Sequence, residues 1–79
     1  MRLIHIRAQA NEEIECLLRE LAAYSPNRLE PRTILIELSD GSNNDLLALL
    51  SATEACVSEN HIRSVRVELD GETYTLAAQ

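Results

Sequence analysis

The stretch Ser64-Val65-Arg66-Val67-Glu68-Leu69-Asp70-Gly71-Glu72-Thr73-Tyr74-Thr75-Leu76-Ala77 decides the reading of the chain. Asp-Gly is the two-residue signature of a type I′ turn, whose central residues both need positive φ and whose twist matches the strands it joins. Folding back at Asp70-Gly71 sets Leu69 against Glu72, Val67 against Tyr74 and Val65 against Leu76 on one face. Glu68/Thr73, Arg66/Thr75 and Ser64/Ala77 then share the other. One face is apolar and one is polar, so helices should cover one side of the sheet and leave the other to solvent.

Upstream, Thr33-Ile34-Leu35-Ile36-Glu37-Leu38 has the β-branched, alternating character of a central strand, with Ile34, Ile36 and Leu38 on one face. Met1 to Ala8 alternates in the same way, Ile4, Ile6 and Ala8 against Leu3, His5 and Arg7. Between these strands, Asn11 is a good N-cap, and Ile14, Leu17, Leu18 and Leu21 form the i, i+3, i+4, i+7 stripe of an amphipathic helix ending near Tyr24. Ser25 to Arg32, with Pro26 and Pro31, reads as the longest loop. Ser39 to Asp45 is rich in turn and cap formers, and the helix after it should bury Leu46, Leu49, Leu50, Thr53 and Val57. Asn60 is the expected left-handed residue at its end, with Ile62 making the apolar contact beyond.

The expected fold is therefore α/β, a two-layer α+β sandwich of order β-α-β-α-β-β forming a single domain over residues 1–79. Helical crossovers make the first three strands parallel, giving a mixed four-stranded sheet with both helices on one face. The order 1-2-4-3 suits it best, because Arg66 and Glu68 fit a solvated edge whereas Tyr74, Leu76 and Ala77 fit an interior strand. This layout resembles the TusA/SirA sulfur-carrier family, whose small domains are similar in length and element order. That family's Cys-Pro-x-Pro motif would fall near Gln9 to Glu13, where neither Cys nor Pro stands. The resemblance thus implies an architecture and no functional residue.

Composition narrows the function classes. The chain has 79 residues, a formal net charge of -6 and 3% aromatic residues, with seven cationic side chains that are all arginine. An acidic chain poor in aromatics lacks both the phosphate-neutralising surface and the stacking platforms of a direct nucleic-acid binder. No apolar run is long enough for a membrane span, and His5 and Arg7 interrupt the apolar start, so a cytoplasmic protein is expected. Two cysteines, Cys16 and Cys56, on separate helices suggest neither a disulfide scaffold nor a metal site. Cys16 should be exposed and, among carboxylates, unreactive; Cys56 should be packed.

Three surfaces remain. The open sheet face should present Leu3, His5, Arg7, Thr33, Leu35, Glu37, Arg66, Glu68, Thr73 and Thr75, and two leucines beside opposite charges suit a protein contact. His5 could pair with Glu37, but no nucleophile completes a triad. With parallel strands, Arg2, Arg28, Arg32, His61 and Arg63 would gather in a cationic pole, where they would also offset helix C-terminal dipoles. Glu12, Glu13, Asp40, Asp45, Asp70 and Glu72 would lie at the opposite pole, and the oxygen-rich loop from Asp40 to Asp45 departs from the calcium-loop pattern.

The expected function is a small protein–protein interaction or regulatory domain, bacterial in character and not an enzyme. It would need no cofactor and would form a homo-oligomer or bind a protein partner through its open face. An alternative is an acidic inhibitor of a nucleic-acid-binding protein from a phage or mobile element, with Glu12, Glu15, Glu20, Glu54 and Glu59 imitating phosphates. A third is a small-molecule or sulfur-carrier-like protein lacking the family motif.

Overall fold

A computed structural model describes residues 2–38 and 43–77. Strand β1 (Arg2–Arg7) leads into helix α1 (Asn11–Glu20) and a 3-10 turn (Ala22–Tyr24). A hairpin of β2 (Asn27–Glu30) and β3 (Thr33–Leu38) follows, then helix α2 (Asn43–Glu59), then a second hairpin of β4 (Ser64–Leu69) and β5 (Glu72–Ala77). The five strands form one sheet in the order β2-β3-β1-β4-β5. Every neighbouring pair in it is antiparallel.

The C-terminal hairpin has the expected register, with Val65 opposite Leu76, Val67 opposite Tyr74 and Leu69 opposite Glu72. Its turn is left-handed at both central residues, Asp70 at φ 53° and Gly71 at φ 81°. Nothing lies within 4 Å of the position a Gly71 Cβ would take, so backbone conformation alone calls for glycine there.

The rest of the sheet corrects the sequence expectation. The segment read as a loop from Ser25 to Arg32 contains β2, which pairs with β3 through a register shift between Arg28 and Glu30. This additional strand reverses the chain before β3, so β3 runs antiparallel to β1, and the mixed four-stranded sheet of order 1-2-4-3 does not form. Both β3 and β4 are antiparallel to β1 and flank it. The units β1-α1-β2 and β3-α2-β4 consequently interleave, each straddling a strand of the other. This is the split β-α-β arrangement of ferredoxin-like domains, extended here by β5. The TusA/SirA layout is therefore not the one adopted.

Side-chain alternation builds the core. Ile4 and Ile6 of β1, Ile34 and Ile36 of β3, and Val65 and Val67 of β4 meet Ile14, Leu17 and Leu21 from the first helical segment and Leu49, Cys56 and Val57 from α2. All are buried, and each large aliphatic side chain contributes about 1.5–3 kcal/mol by leaving water. Tyr74 points to this helical side by register but is 47% exposed, because β5 is the outermost strand. Its hydroxyl donates to the Glu72 carboxylate, which raises the phenol above its usual pKa.

Helix α1 stops at Glu20, short of the expected end near Tyr24, and the 3-10 turn carries the chain on to Tyr24, while two other helix ends differ by one residue from expectation. Ala10, not Asn11, is the N-cap of α1, and Glu13 Oε1 accepts from the backbone N–H groups of Gln9 (2.9 Å) and Ala10 (3.1 Å). Helix α2 ends with His61, not Asn60, in the left-handed conformation at φ 56°. The Ile62 N–H then donates to the Val57 carbonyl at 3.0 Å, a Schellman closure with buried Ile62 as its apolar contact. Thr53, buried mid-helix, satisfies its hydroxyl on the Leu49 carbonyl at 2.8 Å.

Two substitutions check this account by urea unfolding. Gly71→Ala should cost roughly 1–2 kcal/mol through the left-handed backbone alone. Ile6→Ala, at the centre of the core, should cost about 2–5 kcal/mol. Equal midpoints for the two variants and the parent would contradict both assignments.

Candidate functional site

The face of the sheet away from the helices is built in rows, because antiparallel pairing on both sides of β1 sets residues directly opposite one another. One row runs Thr33–Arg7–Arg66–Thr75 and the next Leu35–His5–Glu68–Thr73. A third begins with Glu37 opposite Leu3 and approaches the Asp70-Gly71 turn, which lines a recess together with Leu3, His5 and Glu68. All the residues named from the sequence for this face lie on it. Thr33 is nevertheless buried, and Arg7 Nε donates to its Oγ1 at 3.4 Å.

The face is uneven in charge and polarity. Leu3 is 46% exposed, and His5 and Leu35 are half-buried. Arg7 and Arg66 occupy one end of it, while Glu37 and Asp70 occupy the other. His5 is flanked by Leu35 and Glu68, whereas Glu37 opposes Leu3, so the expected His5–Glu37 pairing is not what the register provides.

Of the expected cationic pole, Arg32, Arg63 and His61 stay at one end of the sheet, where β3 and β4 both begin, while Arg2 moves to the other because β1 runs antiparallel to both. Arg2 opposes Leu38 at one end of the β1–β3 ladder, whereas Arg32 and Arg63 directly precede Thr33 and Ser64 at the other. Arg28 lies on β2 opposite Ile34 and donates from Nη2 to the Pro31 carbonyl at 2.7 Å. His61 closes α2. At that end lies a juxtaposition that the sequence reading missed: Arg32 comes beside Arg7 and Arg66, anchored by an Ala8 N–H to Arg32 carbonyl bond of 2.8 Å.

The acidic pole divides likewise. Glu12 and Glu13 begin α1 at the Arg7 end of β1, while Asp70 and Glu72 sit at the far end of the β4–β5 hairpin. Residues 39–42 of the loop read as oxygen-rich lie outside the described residues. Among the described residues, no group of three or more His, Cys, Asp or Glu side chains is placed to hold a metal ion. Among the described residues, no helix is long and apolar enough to cross a membrane.

The two cysteines, read from the sequence as lying on separate helices, converge on Asn60. The Cys16 thiol donates to Asn60 Oδ1 at 3.6 Å, and Asn60 Nδ2 donates to the Cys56 carbonyl at 2.9 Å and to Cys56 Sγ at 3.6 Å. Arg19 Nη2 donates to Cys16 Sγ at 3.6 Å. Cys16 is half-buried rather than exposed. Burial, then the neighbouring Cys16 and Glu20, push the Cys56 thiol up to about 11, against a small opposing contribution from Asn60 and Arg19.

This asymmetry has a measurable result. At about pH 9, Cys56 in the folded chain should hold roughly fifty-fold less thiolate than an ordinary cysteine. Alkylation should therefore mark Cys16 first and Cys56 only on unfolding. Because the Cys56 pKa is raised on folding, its contribution to stability is complete below pH 9 and is lost as pH rises toward 11. Alkylation of Cys56 ahead of Cys16 in the native protein would overturn the placement.

No protein-family model matches the chain, and neither a curated protein nor a solved structure matches it significantly.

Proposed function

We propose that the chain is a non-catalytic interaction module that self-associates through the open face of its sheet. The observation that carries this reading is the uncovered face itself, where the row of Leu35, His5 and Glu68 lies between an arginine row and the row in which Glu37 opposes exposed Leu3. A two-fold axis running across the strands near the His5 row would lay the Arg7/Arg66 end of one copy over the Glu37/Asp70 end of the other. The two Leu35 side chains would meet near the axis. A two-fold contact requires a self-complementary patch, and opposite charges at opposite ends of the face meet that requirement.

Light scattering tests the proposal. The parent should scatter as a dimer at high protein concentration, and Leu35→Glu should be monomeric. Glu37→Arg should weaken the dimer by setting arginine against arginine, and adding Arg7→Glu should restore it. A parent that stays monomeric at every concentration would refute self-association.

A second reading rests on a different surface. Glu12, Glu15, Glu20, Glu54 and Glu59 are all exposed along the two helices. An acidic helical layer of this kind suits competition for a basic, nucleic-acid-binding partner. Such a complex would weaken steeply with salt and survive Leu35→Glu; capture of no basic protein under low salt would count against it.

A further inference from the structure

We infer that the Arg7/Arg32/Arg66 corner is a binding site for the phosphate group of a small anionic ligand. The chain carries a net charge of -6, yet three of its seven arginines converge on one recess of about 390 Å³ at the edge of the open face. Gln9, Ser64 and Thr75 complete its polar wall, and no carboxylate lines it among the described residues. Glu68 lies one row away beside His5, and Glu30 flanks Arg7 on the β2 side, so both moderate the local field from outside the recess.

The placement of Arg7 directly opposite Arg66 is the informative feature. Like charges facing each other across an antiparallel pair destabilise a sheet, and an anion between them reverses the sign of that contribution. The wall is also held in position. Arg7 Nε is engaged by Thr33 Oγ1, Arg32 Nη1 donates to the Gln9 carbonyl at 3.4 Å, and Gln9 Nε2 donates to Ser64 Oγ at 3.1 Å.

The number of donors selects the ligand. A carboxylate offers two oxygens and a single charge, enough for one or two guanidinium forks but too little to neutralise three arginines. A phosphate group has more oxygens and close to two charges, and it can accept from all three forks and from the Ser64 and Thr75 hydroxyls. The recess volume is that of a small-molecule cleft. The proposed dimer sets Arg7 and Arg66 against carboxylates of a second copy, so self-association and phosphate draw on the same guanidinium groups and compete.

Calorimetric titration with inorganic phosphate and, separately, with glycerol phosphate tests the inference, with chloride at matched ionic strength as control. Phosphate should bind and raise Tm where chloride does not, and tighter binding of glycerol phosphate would identify an ester as the natural form. Arg66→Gln should weaken binding about tenfold or more, while leaving Tm without phosphate unchanged or higher through relief of the Arg7–Arg66 repulsion. Leu35→Glu, a monomer in which those arginines are free, should bind phosphate at least as tightly as the parent, which separates this site from the dimer proposal. Absence of heat with both phosphates, or equal binding by Arg66→Gln, would overturn it.

Discussion

Strand β1 is hydrogen-bonded along both edges, to β3 on one side and β4 on the other, both antiparallel, and the rest of the molecule is arranged by that double pairing. It places Ile6 between Ile34 and Val67, and Ile4 between Ile36 and Leu69, so that the apolar residues of three strands form one continuous floor for the helices. The same pairing sets Arg7 between Thr33 and Arg66, and His5 between Leu35 and Glu68. Core and open face are two sides of one register. A one-residue slip of β1 would bury Leu3, His5 and Arg7 and expose both isoleucines, which is why the register is strongly specified.

What was legible in the sequence was whatever burial writes into periodicity. The Asp-Gly turn fixed the last hairpin residue by residue, and the Ile14/Leu17/Leu21 stripe and the Ile34/Ile36/Leu38 alternation each marked the side that became core. Strand β2 left no such trace. Asn27, Arg28, Leu29 and Glu30 are all exposed, so nothing in their order distinguishes an edge strand from a loop, and Pro26 and Pro31 on either side argue for the loop. Missing that strand missed a chain reversal. Strand directions, sheet order and the grouping of charges at the sheet ends all followed from it.

The candidate surface shows the same division. Its membership depended only on which way alternate side chains point, so it survived the wrong topology. The neighbours across the ladder depended on direction, so Arg32 was assigned with Arg2 when it lies with Arg7 and Arg66. The meeting of Cys16 and Cys56 at Asn60 required knowing how α1 and α2 lie together, which neither helix records in its own sequence. The one-residue shifts at the helix ends have a local cause: Glu13 caps α1 from within, and Asn60 spends its side chain on the Cys56 carbonyl, leaving His61 to turn the chain.

The irregularity in β2 has a bearing on the sheet as a whole. A strand at the margin exposes unpaired amides and carbonyls that another chain can adopt as a template. Here the outer strand is four residues long, bulged between Arg28 and Glu30, and bracketed by two prolines that have no N–H to offer. Growth of the sheet by strand addition is therefore obstructed on that flank.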